Sequence, residues 1–298
     1  MGATHEASDQ SAGLSRKIDK HIDNMPPLPA TITKLVQIAN DQRSSPSDLK
    51  QIISMDPILT SKILKLVNSA YISFRTPVSS LVKAVIILGV NTIKNMALSM
   101  AVIGKLHNAG RKGCFDLDQF WRHSLGCAVT SRNLAAKLGI SKMQREDFFV
   151  AGLIHDIGKL VLCDCAAQED LPKLKHSLET EKFFFHQAEE KLWGLNHANV
   201  GWTLAVKWNM AESMAAAIKF HHHPEQVEGD RKMVDCVYIA NCICRNQEIS
   251  ASADGLTVPI PYGYAKERGL KKKDLDQVSE SLPEDIEKAK EFIKVAQK

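Results

Sequence analysis

His155 and Asp156 stand side by side in the run Gly152-Leu-Ile-His-Asp-Ile-Gly-Lys159, and further histidines flank them at long intervals. His123 lies upstream; His197 and the run His221-His222-His223 lie downstream. An imidazole beside a carboxylate, with Gly and Lys close behind, can hold a divalent ion against a phosphate. Imidazole with carboxylate suits Fe, Mn or Zn, whereas an all-thiolate set points to structural zinc. Lys159 could then neutralise a phosphate oxygen. For His5, His21, His107, His176, His186 and His223 the expectation is an ordinary hydrogen-bonded or solvent-facing histidine. The ordered set His123, His155, Asp156, His197, His221 and His222 is what chance explains poorly.

Those ligands need elements to carry them. Neighbours on a helix point about 100° apart, so His155 and Asp156 can act together only at a helix end or across two ions. Gly152 and Gly158 on either side would let other groups approach closely. Helices are expected over residues 116–138, 145–167, 181–193, 196–208, 211–222 and 231–247. His197 then opens one helix, and His221 and His222 close another just before Pro224 stops it. Four helices facing one interior would supply the set, as in metal sites of helical bundles. Ser45-Pro46 and Asp56-Pro57 each read as an N-cap with proline at the first helical position. No strand-like alternation of useful length appears, so the fold expected is all-α: a multi-helix bundle over residues 113–298 preceded by a smaller helical subdomain over residues 16–112. The boundary is read at Asn108-Ala-Gly-Arg-Lys-Gly113. Residues 1–15 read as a disordered leader, and residues 250–263 as a loop before a charged, solvated helix face at Lys271–Lys273.

Composition narrows the classes. The chain has 298 residues, 44% of them hydrophobic and 24% charged, which is ordinary for a globular protein. A net charge of +4 is too slight to argue for nucleic acid. Lys62, Lys65 and Arg75 are too sparse to turn the short helices near 46–70 into a DNA reader. No apolar run reaches the roughly 18 residues needed to span a bilayer. The polar start lacks an apolar signal region. The seven cysteines form no CxxC pair and read as reduced, buried thiols of a cytoplasmic protein.

The second half resembles the HD superfamily of metal-dependent phosphohydrolases, and the chain from about Lys17 onward resembles the HD-related output domain (HDOD) of bacterial signalling proteins. The resemblance is carried by Met25-Pro-Pro-Leu-Pro29, Ile52-Ile-Ser-Met-Asp-Pro57 and Leu64-Lys-Leu-Val-Asn-Ser-Ala-Tyr71. Ala84-Val-Ile-Ile-Leu-Gly89, Trp121-Arg-His-Ser124 and Ala217-Ile-Lys-Phe-His-His222 continue it. It implies an HD-like helical fold with metal ligands at His123, His155 and Asp156. It also implies a final ligating aspartate in Val237-Tyr-Ile-Ala-Asn-Cys-Ile243, where the matching position holds Asn241. Asp235, six residues earlier, would face elsewhere on a helix. Two unit charges 4 Å apart interact by on the order of 4 kcal/mol at an effective dielectric of about 20. The amide therefore forfeits roughly a thousandfold in metal affinity, which His197, His221 and His222 could partly restore.

Two readings follow. The HDOD resemblance implies a catalytically silent output module acting on a signalling protein such as a kinase, a diguanylate cyclase or a motility regulator. The intact His-Asp pair supports the alternative, a metal-dependent phosphohydrolase acting on a nucleotide or cyclic dinucleotide. The Gly-Tyr-Pro segment of the related HD-GYP phosphodiesterases is missing, since Pro261-Tyr-Gly-Tyr264 has the wrong order and distance.

Overall fold

The helices of this chain form because apolar residues recur at spacings of three and four and because polar residues cap their starts. The computed structural model describes residues 2–40, 48, 51–53, 55–69, 72, 77–106, 109–110, 113–249 and 256–297. The N-terminal half holds α1 (Gly2–Asn24), α2 (Ala30–Asn40), α3 (Pro57–Val67), α4 (Leu81–Leu88) and α5 (Val90–Leu106). The site-bearing half follows with α6 (Leu117–Lys137), α7 (Lys142–Ile154), α8 (Ile157–Cys165), α9 (Leu171–Glu179), α10 (Phe185–Trp193), α11 (His197–Lys207), α12 (Glu212–Phe220) and α13 (Lys232–Asn246). Short α14 (Tyr262–Glu267) and long α15 (Lys272–Gln297) complete the chain. No strand occurs among the described residues. The fold is all-α, as its patterning implies.

Asp56 caps α3 by accepting from Leu59 N at 2.9 Å, with Pro57 at the first helical position. The analogous start at Ser45-Pro46 lies outside the described residues, as do His107 and Arg75 and the side chain of His5. Ser141 caps α7, and Asn196 caps α11 by accepting from Ala198 N and Asn199 N. Among the described residues no single helix is long and apolar enough to cross a membrane; α4 and α5 together pass on composition but meet at a 115° bend.

The chain departs from its expected organisation in four places. Helix α1 begins at Gly2, inside the stretch expected as a leader; Ile18 and Ile22 anchor its later turns in the core, and a helix once nucleated propagates without further apolar residues. The expected boundary at 108–113 falls between α5 and α6, yet one contiguous apolar core runs through both sides of it. Helix α15 is responsible: its buried stripe Leu275, Val278, Leu282, Ile286, Ala289 and Phe292 packs back against α3, α5 and α6. Its start at Lys271–Lys273 is exposed. Helix α14 begins at Tyr262, within the stretch expected as a loop. Finally, the cysteines are not all reduced: Cys114 and Cys163 form a disulfide, with Cα atoms 6.0 Å apart. Their separation of 49 residues hides the pairing until the turn before α6 folds onto α8, where Gly110 N also donates to Asp164 Oδ1 at 2.9 Å. Cys127, Cys165, Cys236, Cys242 and Cys244 are buried and form no disulfide.

Two glycines set how closely the site-bearing helices approach. A Cβ on Gly152 would lie 2.5 Å from Cys127 O, so α7 crosses α6 backbone against backbone. A Cβ on Gly158 would lie 1.9 Å from His197 O and 2.6 Å from Gly201 N, which seats α8 on the first turn of α11. Neither obstacle is a flexible side chain that could swing aside. Gly158→Ala must therefore push α11 away, and thermal denaturation should show a loss on the order of 3 kcal/mol. An unchanged melting temperature would contradict this packing.

Candidate metal centre

The HD pair lies at a break in the chain. Helix α7 ends at Ile154 with His155 as its cap, and Asp156 (φ −99°, ψ 7°) precedes α8. The continuous helix expected over 145–167 is thus two helices. The physical reason is local: at the break the two neighbouring side chains escape the 100° divergence of a regular helix and converge, His155 Nε2 standing 3.4 Å from Asp156 Oδ2. His197 opens α11 and His221 caps α12, so both imidazoles also sit at helix ends and are free to turn inward.

The imidazoles gather around the Asp156 carboxylate. His197 Nε2 lies 3.1 Å and His221 Nε2 3.4 Å from Oδ1, while His155 Nε2 and His123 Nε2 lie 3.4 and 3.8 Å from Oδ2. His197 Nε2 is 3.4 Å from His221 Nε2 and 3.0 Å from His222 Nε2. The tautomers are constrained by what each ring faces on its other side. His155 Nδ1 donates to Gly152 O at 2.8 Å and His221 Nδ1 donates to Ile218 O at 2.7 Å. A carbonyl oxygen can only accept, so these Nδ1 atoms carry the proton and each Nε2 presents a lone pair. Lone pairs aimed at a carboxylate repel it unless a cation lies between. His155 Nε2 is buried without a hydrogen-bond partner.

The donor set therefore fits a divalent ion. Asp156, His197, His221 and His222 offer ligand atoms within 4.8 Å of one another, and so, separately, do His123, Cys127 and His155. Nitrogen ligands of a tetrahedral zinc lie about 3.3 Å apart, given bonds of about 2.0–2.1 Å, which matches the spacing around Oδ1. An ion there would act as a Lewis acid and lower the pKa of bound water. Lys159 donates to Asp156 Oδ2 at 2.8 Å and lies 5.0 Å over the Phe185 ring.

Electrostatics follows from burial. Desolvation holds His155 and His222 well below the ordinary imidazole value, and it lowers His221 too. Burial would raise Asp156, but the charge of Lys159 and the hydrogen bond from His197 hold it well below the carboxylate range. Burial would likewise lower His197, yet the Glu189 carboxylate prevails and lifts it to about 9.

Glu189 was not anticipated from the sequence. It is 1% exposed on α10 and accepts from both His197 N (2.9 Å) and His197 Nδ1 (2.6 Å), the carboxylate–histidine arrangement that orients metal ligands. Its one signal is a carboxylate a helix-length before a ligating histidine. His186, expected to be ordinary, stacks on His222 with ring centroids 4.0 Å apart. Exposed His223 pairs with Glu225 at 3.3 Å. Asn241 is buried on α13, which packs on α6 and α7, and its Oδ1 has no hydrogen-bond partner. Asp235 faces elsewhere, bonded to Arg231 and Tyr264.

The family model of the HDOD domain matches residues 25–224. The crystal structure of an HDOD domain protein of unknown function from Geobacter sulfurreducens superposes with a TM-score of 0.76 at 24% identity, covering 96% of this chain and 98% of its own. A candidate phosphohydrolase from Shewanella amazonensis SB2B gives 0.71 at 24%, covering 94% and 98%. A candidate signal transduction protein from Marinobacter aquaeolei VT8 gives 0.73 at 18%, covering 97% and 67%. An uncharacterised protein of Treponema pallidum (strain Nichols) is 26% identical over 241 residues, 80% of this chain and 46% of that relative, so this chain spans about half the relative's length.

The pKa directions set a pH dependence for the metal-free chain. His155 and His222 stay neutral when folded but take up protons when unfolded, so their contribution is complete above pH 6.5 and is lost as pH falls below it. His197 has the opposite sign: its contribution is complete below pH 6.5 and is lost as pH rises through about 9. The melting temperature of chelator-treated protein should peak near pH 6.5 and decline on both sides. A melting temperature that climbs steadily from pH 6.5 to 9 would refute this account.

Proposed function

The chain belongs to the HDOD domain family, and from that premise we propose that it is a signal-transduction output module that holds a divalent ion in its helical core and acts by docking another protein. The observation that carries this reading is the enclosure of the ligands. The side chains of His155, His197 and His221 have no solvent exposure, and Asp156 has 2%. A catalytic ion keeps an open position that water and substrate can reach, and here the half-buried His222 is the outermost member of the cluster. Asn241, where the family resemblance calls for a carboxylate, supports the same conclusion, because a neutral amide lowers the charge available to a hydrolytic centre. An enclosed ion of this kind ties α7, α8, α11 and α12 together.

The docking face belongs to the N-terminal half. Met55 and Ile58 (each 72% exposed) and Ile86 (70%) leave large apolar side chains in solvent on or beside α3 and α4. A kinase, a cyclase or a motility regulator is the kind of partner this family membership suggests. The candidate signal transduction protein of similar fold points the same way.

A second reading, metal-dependent phosphohydrolysis of a nucleotide or cyclic dinucleotide, is favoured by the complete His123 and His155-Asp156 set and by the candidate phosphohydrolase of similar fold. Lys159, which would neutralise a phosphate oxygen, is engaged by Asp156.

Protein purified without chelator should contain bound Fe, Mn or Zn by elemental analysis, and should not turn over nucleotide or cyclic dinucleotide phosphoesters with Mn or Fe supplied. Turnover that disappears in Asp156→Ala would transfer the conclusion to the second reading, and a chain that retains no divalent ion would remove both. Asn241→Asp should hold its ion against a competing chelator about tenfold or more better than the unaltered chain; no gain would mean that position 241 does not face the centre.

A further inference from the structure

We infer that Cys127 is a thiolate ligand of an ion held on the His123–His155 side of Asp156, so that this cluster favours a thiophilic dication, Zn(II) or Fe(II), over Mn(II) or Mg(II). The inference rests on the metal-binding reading above and deepens it. Cys127 follows His123 by one turn of α6, so the two side chains share a face. Cys127 is wholly buried, and its Sγ lies 3.5 Å from His123 Nε2. Nitrogen and sulfur on one tetrahedral zinc are about 3.6 Å apart, given Zn–N of about 2.0–2.1 Å and Zn–S of about 2.3 Å. The third member, His155, points an unpartnered and fully buried Nε2 into the same space, its Nδ1 being tied to Gly152 O. The Gly152 crossing is what makes this possible. It brings α7 onto the backbone of Cys127 itself, and His155 lies three residues further on.

Formal charge supports the assignment. The resemblance puts a carboxylate at position 241, and this chain has the neutral Asn241 there, so a dication at this site lacks one negative charge that the family pattern supplies. A thiolate at Cys127 supplies the missing negative charge: the S–H bond breaks, sulfur bonds the ion with its electron pair, and the proton leaves to the buffer. Soft thiolate with imidazole selects Zn or Fe over Mn or Mg.

The probe is Co(II), added alone to the metal-free full-length chain and followed by absorption. Thiolate ligation produces a sulfur-to-cobalt charge-transfer band in the near ultraviolet, separate from the visible ligand-field bands that any bound Co(II) shows. The band is expected in the unaltered chain. It should vanish in Cys127→Ser with visible bands retained, and persist in Cys236→Ser and Cys244→Ser. Zn(II) affinity should fall on the order of tenfold or more in Cys127→Ser, with Mn(II) affinity unchanged. Co(II) bound without the charge-transfer band overturns this inference and leaves the metal reading standing, as does a band that survives Cys127→Ser. No bound Co(II) overturns both. Because the unaltered chain alone can give the overturning result, poor folding of the variant does not protect the idea.

Discussion

The Asp156 carboxylate is a negative charge sealed inside a helical protein, and the surrounding structure is organised by the need to neutralise it. An unpaired buried charge costs several kcal/mol even after relaxation. Here Lys159 donates directly to Oδ2, and four imidazoles turn toward the two oxygens. Three of those rings are held from behind, His155 and His221 by backbone carbonyls one turn back and His197 by Glu189. Such support removes rotational freedom, so the lone pairs of His155 and His221 face the carboxylate whether or not an ion is present. Without an ion, His197 keeps a proton to about pH 9 because Glu189 favours its charged form. A proton and a dication would be alternative ways to satisfy one constraint, and an ion bound to His197 Nε2 would displace the proton.

Backbone geometry makes the convergence possible. Imidazoles reach at most a few ångströms from their helices, so the helices themselves must nearly touch. Gly152 and Gly158 allow this at the two crossings that matter, α7 on α6 and α8 on α11. Both crossings flank the helix break that carries His155 and Asp156. Close approach and a local interruption of the helix are therefore parts of the same device, placed within seven residues of sequence.

The two halves of the molecule are coupled through α15. Its apolar stripe contacts α3 and α5 on one side and α6 on the other, and α6 carries His123 and Cys127. The exposed apolar residues of α3 and α4 sit on elements that share this core with α6, through packed side chains that are close to crystal density.

Much of this was legible in the residues alone. Apolar periodicity and capping residues specify local hydrogen bonding, which is why the helices, the Asp56-Pro57 start and the inward-facing ends at His197 and His221 could be placed from the chain. Gly152 and Gly158 announced close approach because no other residue type permits it. What neighbouring residues alone could not decide was pairing between distant segments. Glu189 behind His197, His186 against His222 and the Cys114–Cys163 bond each join positions whose proximity depends on how whole helices pack. The break at 155–156 is local instead: Gly152, His155, Asp156 and Gly158 are weak helix formers, but the apolar pattern runs on across them and hides it. Composition and spacing determine which elements form and which side chains can do chemistry; three-dimensional packing decides which of those side chains meet, because the burial and charge that set their behaviour exist only once the helices have closed around them.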